Sequence, residues 1–224
     1  MIDAILVDLD GTIVDCRERH YACYADLARE SGIPAMALDD YWSMKRARRP
    51  WSAILGLSAI RTDDRAFAAR FIDLVESPKY LALDRPYPSA SSALARLRGM
   101  SGRLLLVTMR RSLEGVESQL RQWEMLQQFD HVLTRGMSEV AKASLARRAL
   151  PANAGRVVWI GDTEEDIAAA REVGVVACAV CGGLRDRTWL EAQLPDLMAQ
   201  DLAEASQLLA NPLAVPSCYS GRMQ

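Results

Sequence analysis

Asp8 and Asp10 stand two residues apart, with one leucine between them, where an apolar run ends in IDAILVDLDGT (residues 2–12). Far along the chain, VVWIGDTEED places Asp162 and Asp166 four residues apart behind a second apolar run. A third run, LLLVT, ends in Thr108, and Lys142 is the only lysine between residues 80 and 224. One Asp after a strand ordinarily forms a turn or caps a helix. Four carboxylates gathered in one small region cannot all stay ionised without a cation. Oxygen-only donors with few neutral partners suit Mg²⁺, which keeps several of its waters. Gly11 lets the backbone bend after Asp10, so Asp8 and Asp10 can face one substrate in different roles. The plain alternatives are Asp162 as a helix cap, Lys142 as a solvated helix residue, and Arg135 as the local cation in its place.

Convergence of these residues requires particular elements. Short β-branched apolar runs bounded by turn residues predict strands at 2–9, 104–108, 157–162 and 173–180, and a weaker one at 130–134. Helical patterns lie between them: 89–98 ending at Gly99, 112–127 opened by Ser112, 139–150 stopped by Pro151, and 164–173 closed by Gly174. This alternation predicts an α/β fold, a parallel sheet with helices on both faces, whose ligands bind beyond the carboxyl ends of the strands. Residues 16–86 break the rhythm with no clear strand. Helices are expected there at 17–30, 38–47 and 63–76, the last capped by Thr62 and carrying Phe67, Phe71, Leu74 and Val75 on one face. The expected organisation is a core of 1–15 and 87–210, an all-helical insert at 16–86, and a loose tail at 211–224.

Composition excludes several classes. With 224 residues, half of them hydrophobic, the chain can bury one full core. A formal charge of −2 gives no general attraction to nucleic acid or anionic membrane. The N-terminus lacks a signal peptide's basic start, and no apolar run approaches the ~20 residues of a membrane span. Cys178 and Cys181, a C-x-x-C inside an apolar run, read as small buried hydrophobes, and the five cysteines suggest no disulfide framework. A reducing, cytoplasmic setting follows, with no membrane or nucleic-acid partner and either a monomer or a homodimer.

DLDGT at the first strand, a strand ending in Thr108, the downstream Lys142 and then GDTEED resemble the four motifs of the haloacid dehalogenase superfamily. The likeness spans about residues 2–183. It implies a Rossmann-like core with a small helical cap, as in the phosphoglycolate-phosphatase-like branch of the phosphatases. By that resemblance Asp8 is the nucleophile that becomes an aspartyl-phosphate, and Asp10 is the general acid and base. Thr108 would hydrogen-bond the phosphoryl group, and Lys142 would neutralise charge around it. Mg²⁺ would be held by Asp8, the backbone carbonyl of Asp10 and Asp162, with Asp166 acting directly or through water. Superfamily members that cleave carbon–halogen or carbon–phosphorus bonds lack the second aspartate. The expected activity is therefore Mg²⁺-dependent hydrolysis of a small phosphorylated metabolite. A phosphomutase and a non-catalytic sensor of a phosphorylated ligand are the alternatives. The lysine motif, SEVAKASL, lacks the prolines common beside that lysine in relatives.

Substrate contacts are expected from YWSMKRARRPW, residues 41–51, the densest basic cluster in the chain. Lys45 and Arg49, four apart, would share a helical face beside Trp42, with Arg46 and Arg48 directed elsewhere. The alternative is a solvated face whose tryptophans pack inside the insert. Arg110 and Arg111, just past Thr108, are either further substrate contacts or residues of a solvated helix start. His20 and His131 look isolated.

Overall fold

The computed structural model describes residues 1–56, 64–136, 140–150 and 154–211. Its elements in chain order are β1 (Ile2–Val7), β2 (Val14–Asp15), α1 (Arg17–Glu30), α2 (Leu38–Arg46), α3 (Trp51–Ile54), α4 (Asp64–Leu74), α5 (Pro78–Leu81) and β3 (Arg85–Pro86). Then come α6 (Ala90–Met100), β4 (Ser101–Thr108), α7 (Leu113–Gln122), β5 (His131–Thr134), α8 (Lys142–Ala149), β6 (Val157–Gly161), α9 (Glu164–Val173), β7 (Val176–Val180), α10 (Arg187–Glu191), β8 (Leu197–Ala199) and α11 (Leu202–Ala210). Six strands form a parallel sheet in the order β5-β4-β1-β6-β7-β8. β1, β6 and β7 are buried over nearly their whole length because helices cover both faces. Leu94, Leu97 and Leu104 belong to the apolar layer on one face, and Trp159, Ile167 and Ala146 to the layer on the other.

The order places β1 between β4 and β6, so the residues after Val7, Val107 and Ile160 emerge side by side at one end of the sheet. Helices α1–α5 occupy the interval between β2 and β3 and pack their own apolar cluster, in which Tyr24, Tyr41, Phe67 and Phe71 are buried. The Tyr24 and Tyr41 rings stack at 4.4 Å. The chain leaves and re-enters the sheet domain through an antiparallel ribbon, with Val14 paired to Pro86 and Asp15 to Arg85.

Several elements differ from the sequence expectation. The 2–9 strand stops at Val7, because the Leu9 carbonyl accepts from Ile13 N and Val14 N and turns the chain. The 173–180 strand starts at Val176: Val173 closes α9 and Gly174 takes the left-handed conformation at φ 80°. Gly99 does not end α6, which runs through it to Met100, with Ser101 Oγ donating to the Leu97 carbonyl. The helix expected at 112–127 ends at Gln122. Glu124 turns left-handed at φ 56°, and a short 3₁₀ turn follows at Leu126–Gln128. The 16–86 segment contains the strand Arg85–Pro86 and the extra helices α3 and α5, all too short to leave a periodic signal. The Thr62 cap, Pro151 and the tail after Asn211 lie outside the described residues.

Candidate active site

Asp8 directly follows β1, and its amide donates to the Ile160 carbonyl of the neighbouring strand at 2.9 Å. Thr108 is the last residue of β4, and Asp162 directly follows β6. Lys142 opens α8, and its 7% exposure excludes the solvated alternative. Its Nζ donates to Asp8 Oδ1 at 2.5 Å and to Asp166 Oδ1 at 2.7 Å. Asp166 also accepts from Trp159 Nε1 at 3.1 Å, Thr163 N at 3.2 Å and Thr163 Oγ1 at 2.6 Å. Each of its oxygens therefore takes two donors, and its position orients the ammonium that reaches Asp8. Thr163, not Asp162, caps α9, in a reciprocal box with Asp166.

Asp162 is fully buried. Its Oδ2 accepts from Leu184 N at 2.5 Å, while Oδ1 has no hydrogen-bond partner among the described residues. A buried carboxylate oxygen left without a donor is costly unless something else binds it. Carboxylate oxygens of Asp8, Asp162 and Asp166 lie within 4.8 Å of one another. Burial and the neighbouring carboxylates Asp8 and Asp166 push the Asp162 carboxyl well above its usual range. Burial, opposed by Lys142 and reinforced by Asp166, lifts Asp8 to about 7. Against burial, Asp166 and Asp8 hold the Lys142 ammonium above its ordinary value. Such a cluster is shaped for a hard cation: oxygen donors, excess negative charge and one unsatisfied oxygen. Glycine lines it closely. Gly11 has φ 78°, and a Cβ there would sit 1.9 Å from Asp162 Oδ2.

Asp10 lies in the turn after β1 and is held by two guanidiniums, Arg19 of α1 and Arg110 just past β4. Burial pushes its carboxyl upward, but Arg110 and Arg19 prevail and hold it well below the usual range. Asp8, Asp10, Thr108 and Lys142 line one cavity of about 370 Å³, with Arg110 and Arg135 and with Arg19, His20 and Phe71 from the insert. Lys142, not Arg135, is the cation on Asp8.

The structure corrects the expected substrate contacts. Arg110 is 3% exposed and bound to Asp10 and Asp84, so it is not a residue of a solvated helix start; it lines the cavity beside Asp10. Arg111 turns to the insert, its amide donating to Glu76 Oε2 at 2.9 Å. Lys45 and Arg49 do not share a helical face: α2 ends at Arg46, Arg48 has φ 56°, and Arg49 is exposed with no ion pair among the described residues. Trp42 is buried within the insert, its ring edge-on to His20 at 6.3 Å, and is not a substrate wall. Arg46 donates to the Cys181 carbonyl at 2.5 Å, and Arg48 Nε pairs with Glu164 at 2.6 Å, so these two dock the insert on the sheet domain. Lys45 lies over the Phe71 ring at 5.1 Å, without an ion pair among the described residues. His20 is not isolated: it lines the cavity, 5.6 Å from Phe71. Arg19, His20 and Asp84 are the residues that sequence reasoning missed. None sits at a strand end or in a motif, so no spacing marks them.

Residues 2–174 match the haloacid dehalogenase-like hydrolase family. The chain belongs to the haloacid dehalogenase-like hydrolases. Among curated relatives of this hydrolase, phosphoglycolate phosphatase of Synechococcus elongatus is 28% identical over 92% of the chain and 96% of its own length. Pyrophosphatase PpaX of Bacillus cereus is 22% identical over 94% and 97%. A haloacid dehalogenase-like family hydrolase from Streptococcus pneumoniae shares the fold, with a TM-score of 0.74 at 21% identity over 93% of this chain and 98% of that one. No helix among the described residues is long and apolar enough to cross a membrane.

Proposed function

We propose that this hydrolase is a Mg²⁺-dependent phosphatase of a small phosphorylated metabolite, working in the cytoplasm through an aspartyl-phosphate on Asp8. The observation that carries this reading is the Asp8–Lys142–Asp166 relay beside the unsatisfied Asp162 oxygen. Asp8 has one oxygen fixed by Lys142, which leaves the carboxylate directed and its charge partly balanced for attack on phosphorus. Lys142 and Thr108 would stabilise the phosphoryl oxygens as charge builds on them. Asp10 would protonate the leaving oxygen and then deprotonate the hydrolytic water. The cation would be held by Asp8, Asp162 and the Asp10 carbonyl, with Asp166 acting through Lys142 and solvent. Bound there, Mg²⁺ would neutralise the carboxylate cluster and polarise the phosphoryl group.

Residues 16–86 would serve as the cap over a core of 1–15 and 87–210, with specificity read from the cap side of the cavity. The two curated relatives are named for substrates that carry a second anionic group, a carboxylate or a phosphate. Lys45, a half-buried cation beside the cavity-lining Phe71, supports the same feature here.

Phosphoenzyme trapping tests the reading. With Mg²⁺ and nitrophenyl phosphate, Asp8→Asn should trap no phosphate on the protein, Asp10→Asn should accumulate it and turn over slowly, and chelation should silence the wild type. Phosphate trapped on Asp8→Asn, or undiminished turnover after chelation, would reject the assignment.

A further inference from the structure

We infer that Arg19 and Arg110 are positioning residues that fix the Asp10 carboxylate so that its Oδ2 is the oxygen that takes a proton from the hydrolytic water. This rests on the aspartyl-phosphate reading and adds residues that no motif supplies. Asp10 Oδ1 accepts from Arg110 Nη2 at 2.5 Å and forms an ion pair with Arg19 Nη2 at 2.7 Å. Among the described residues Oδ2 accepts only from Arg110 Nε at 3.0 Å. A carboxylate oxygen offers two lone-pair directions, so Oδ1 faces two guanidiniums while Oδ2 keeps one direction free. The fork from Arg110 engages both oxygens and thereby fixes the plane of the group.

The clamp is itself fixed. Asp84 is 1% exposed, with Oδ1 3.1 Å from Arg19 Nε and Oδ2 2.7 Å from Arg110 Nη2. Gln119 of α7 accepts from Arg110 Nη1 and donates to Asp84 Oδ2 and to the Leu81 carbonyl. Arg19 and Arg110, 1% and 3% exposed at the cavity wall, turn their guanidiniums to Asp10 and Asp84, and both act through Asp10. Arg19 is on α1 and Asp84 lies just before β3, so both passages of the chain between insert and sheet contribute to the clamp.

In the step concerned, the water oxygen bonds to phosphorus as the Asp8–phosphorus bond breaks. The water proton passes to Asp10 Oδ2, and inorganic phosphate leaves. Loss of an arm should slow this step and spare formation of the phosphoenzyme from a substrate whose leaving group needs no proton. With dinitrophenyl phosphate and Mg²⁺, Arg19→Gln should keep the burst rate within about threefold of wild type while phosphoenzyme breakdown slows about tenfold or more. Arg110→Lys, which keeps the charge and loses the fork, should show the same split. Equal falls in burst and breakdown, or unchanged breakdown, would overturn the inference. Should both variants fail to fold, the wild type decides. In a crystal with Mg²⁺ and tetrafluoroaluminate, Asp10 should keep its arginine contacts with Oδ2 at hydrogen-bond distance from the axial oxygen; a carboxylate turned away from both arginines would overturn it. Failure of the underlying reading looks different, because Asp10→Asn would then accumulate no phosphate at all.

Discussion

Lys45 shows how far a single residue departs from its average behaviour. Burial, with Arg185 next, brings its ammonium down to about 7, and Arg19 and Arg48 add to the effect. A lysine lowered in the folded state destabilises that state most where it is charged. Its penalty is full below pH 7 and fades as pH rises from about 7 towards 10.5. Lys45→Met should therefore stabilise the protein at pH 6, measured by urea melts, with the gain shrinking by pH 10. If Lys45 meets the substrate's second anion, Lys45→Gln should raise KM for that substrate about tenfold and leave nitrophenyl phosphate nearly untouched. An equal effect on both substrates would remove it from recognition. The clustered aspartates were legible because strand ends are legible and DLDGT and GDTEED stand there. Arg19 and Asp84 were not. Arg19's two partners, Asp10 and Asp84, are nine and sixty-five residues away, and only the closed fold brings the three charges together.

At the scale of elements, long helices and buried strands were readable because their periodicity repeats. α9 begins and ends as expected, with Thr163 ahead of it and Gly174 behind. Elements of two to four residues, such as β2, β3, α3 and α5, leave no period to read and are set by tertiary contacts. The end of α2 is the most consequential case. A straight helix through Arg49 would have sent the basic cluster elsewhere, whereas the turn at Ala47–Arg48 drops Arg48 onto Glu164. Glu164 also accepts from Arg185, and despite burial these arginines hold its carboxyl at about 2. A lowered acid stabilises the fold above its unfolded value, near 4.5, and loses that contribution as pH falls towards 2. Glu164→Gln should thus cost stability at pH 6, by about 1 kcal/mol given the partly exposed setting, and the gap from wild type should close towards pH 2. A gap as large at pH 2 as at pH 6 would show that packing, not charge, holds this contact.

Across the whole molecule, a cation held by the carboxylate cluster would be linked to folding. A ligand that binds only the folded state adds about 2.7 kcal/mol at one hundred times its Kd. For a chain of this size that is a rise in Tm of about 5–10 °C. Saturating Mg²⁺ should raise the Tm of wild type by that order, and Asp162→Asn should lose most of the rise; equal shifts in both would place the ion elsewhere. The ribbon at Val14–Pro86 carries a different consequence. Because the two passages lie against each other, the seventy residues between Asp15 and Pro86 join the sheet domain covalently at one place, and their length is invisible to the register of β1 and β4. Lineages could exchange that loop for another and re-aim the same chemistry at a new compound. Here, however, the graft has roots: Arg19 and Asp84 would leave with it, and Asp10 would be left with one arginine instead of two. Modularity in this hydrolase therefore stops short of complete, and any transplanted insert must bring replacements for Arg19 and Asp84 as well as its own docking contacts.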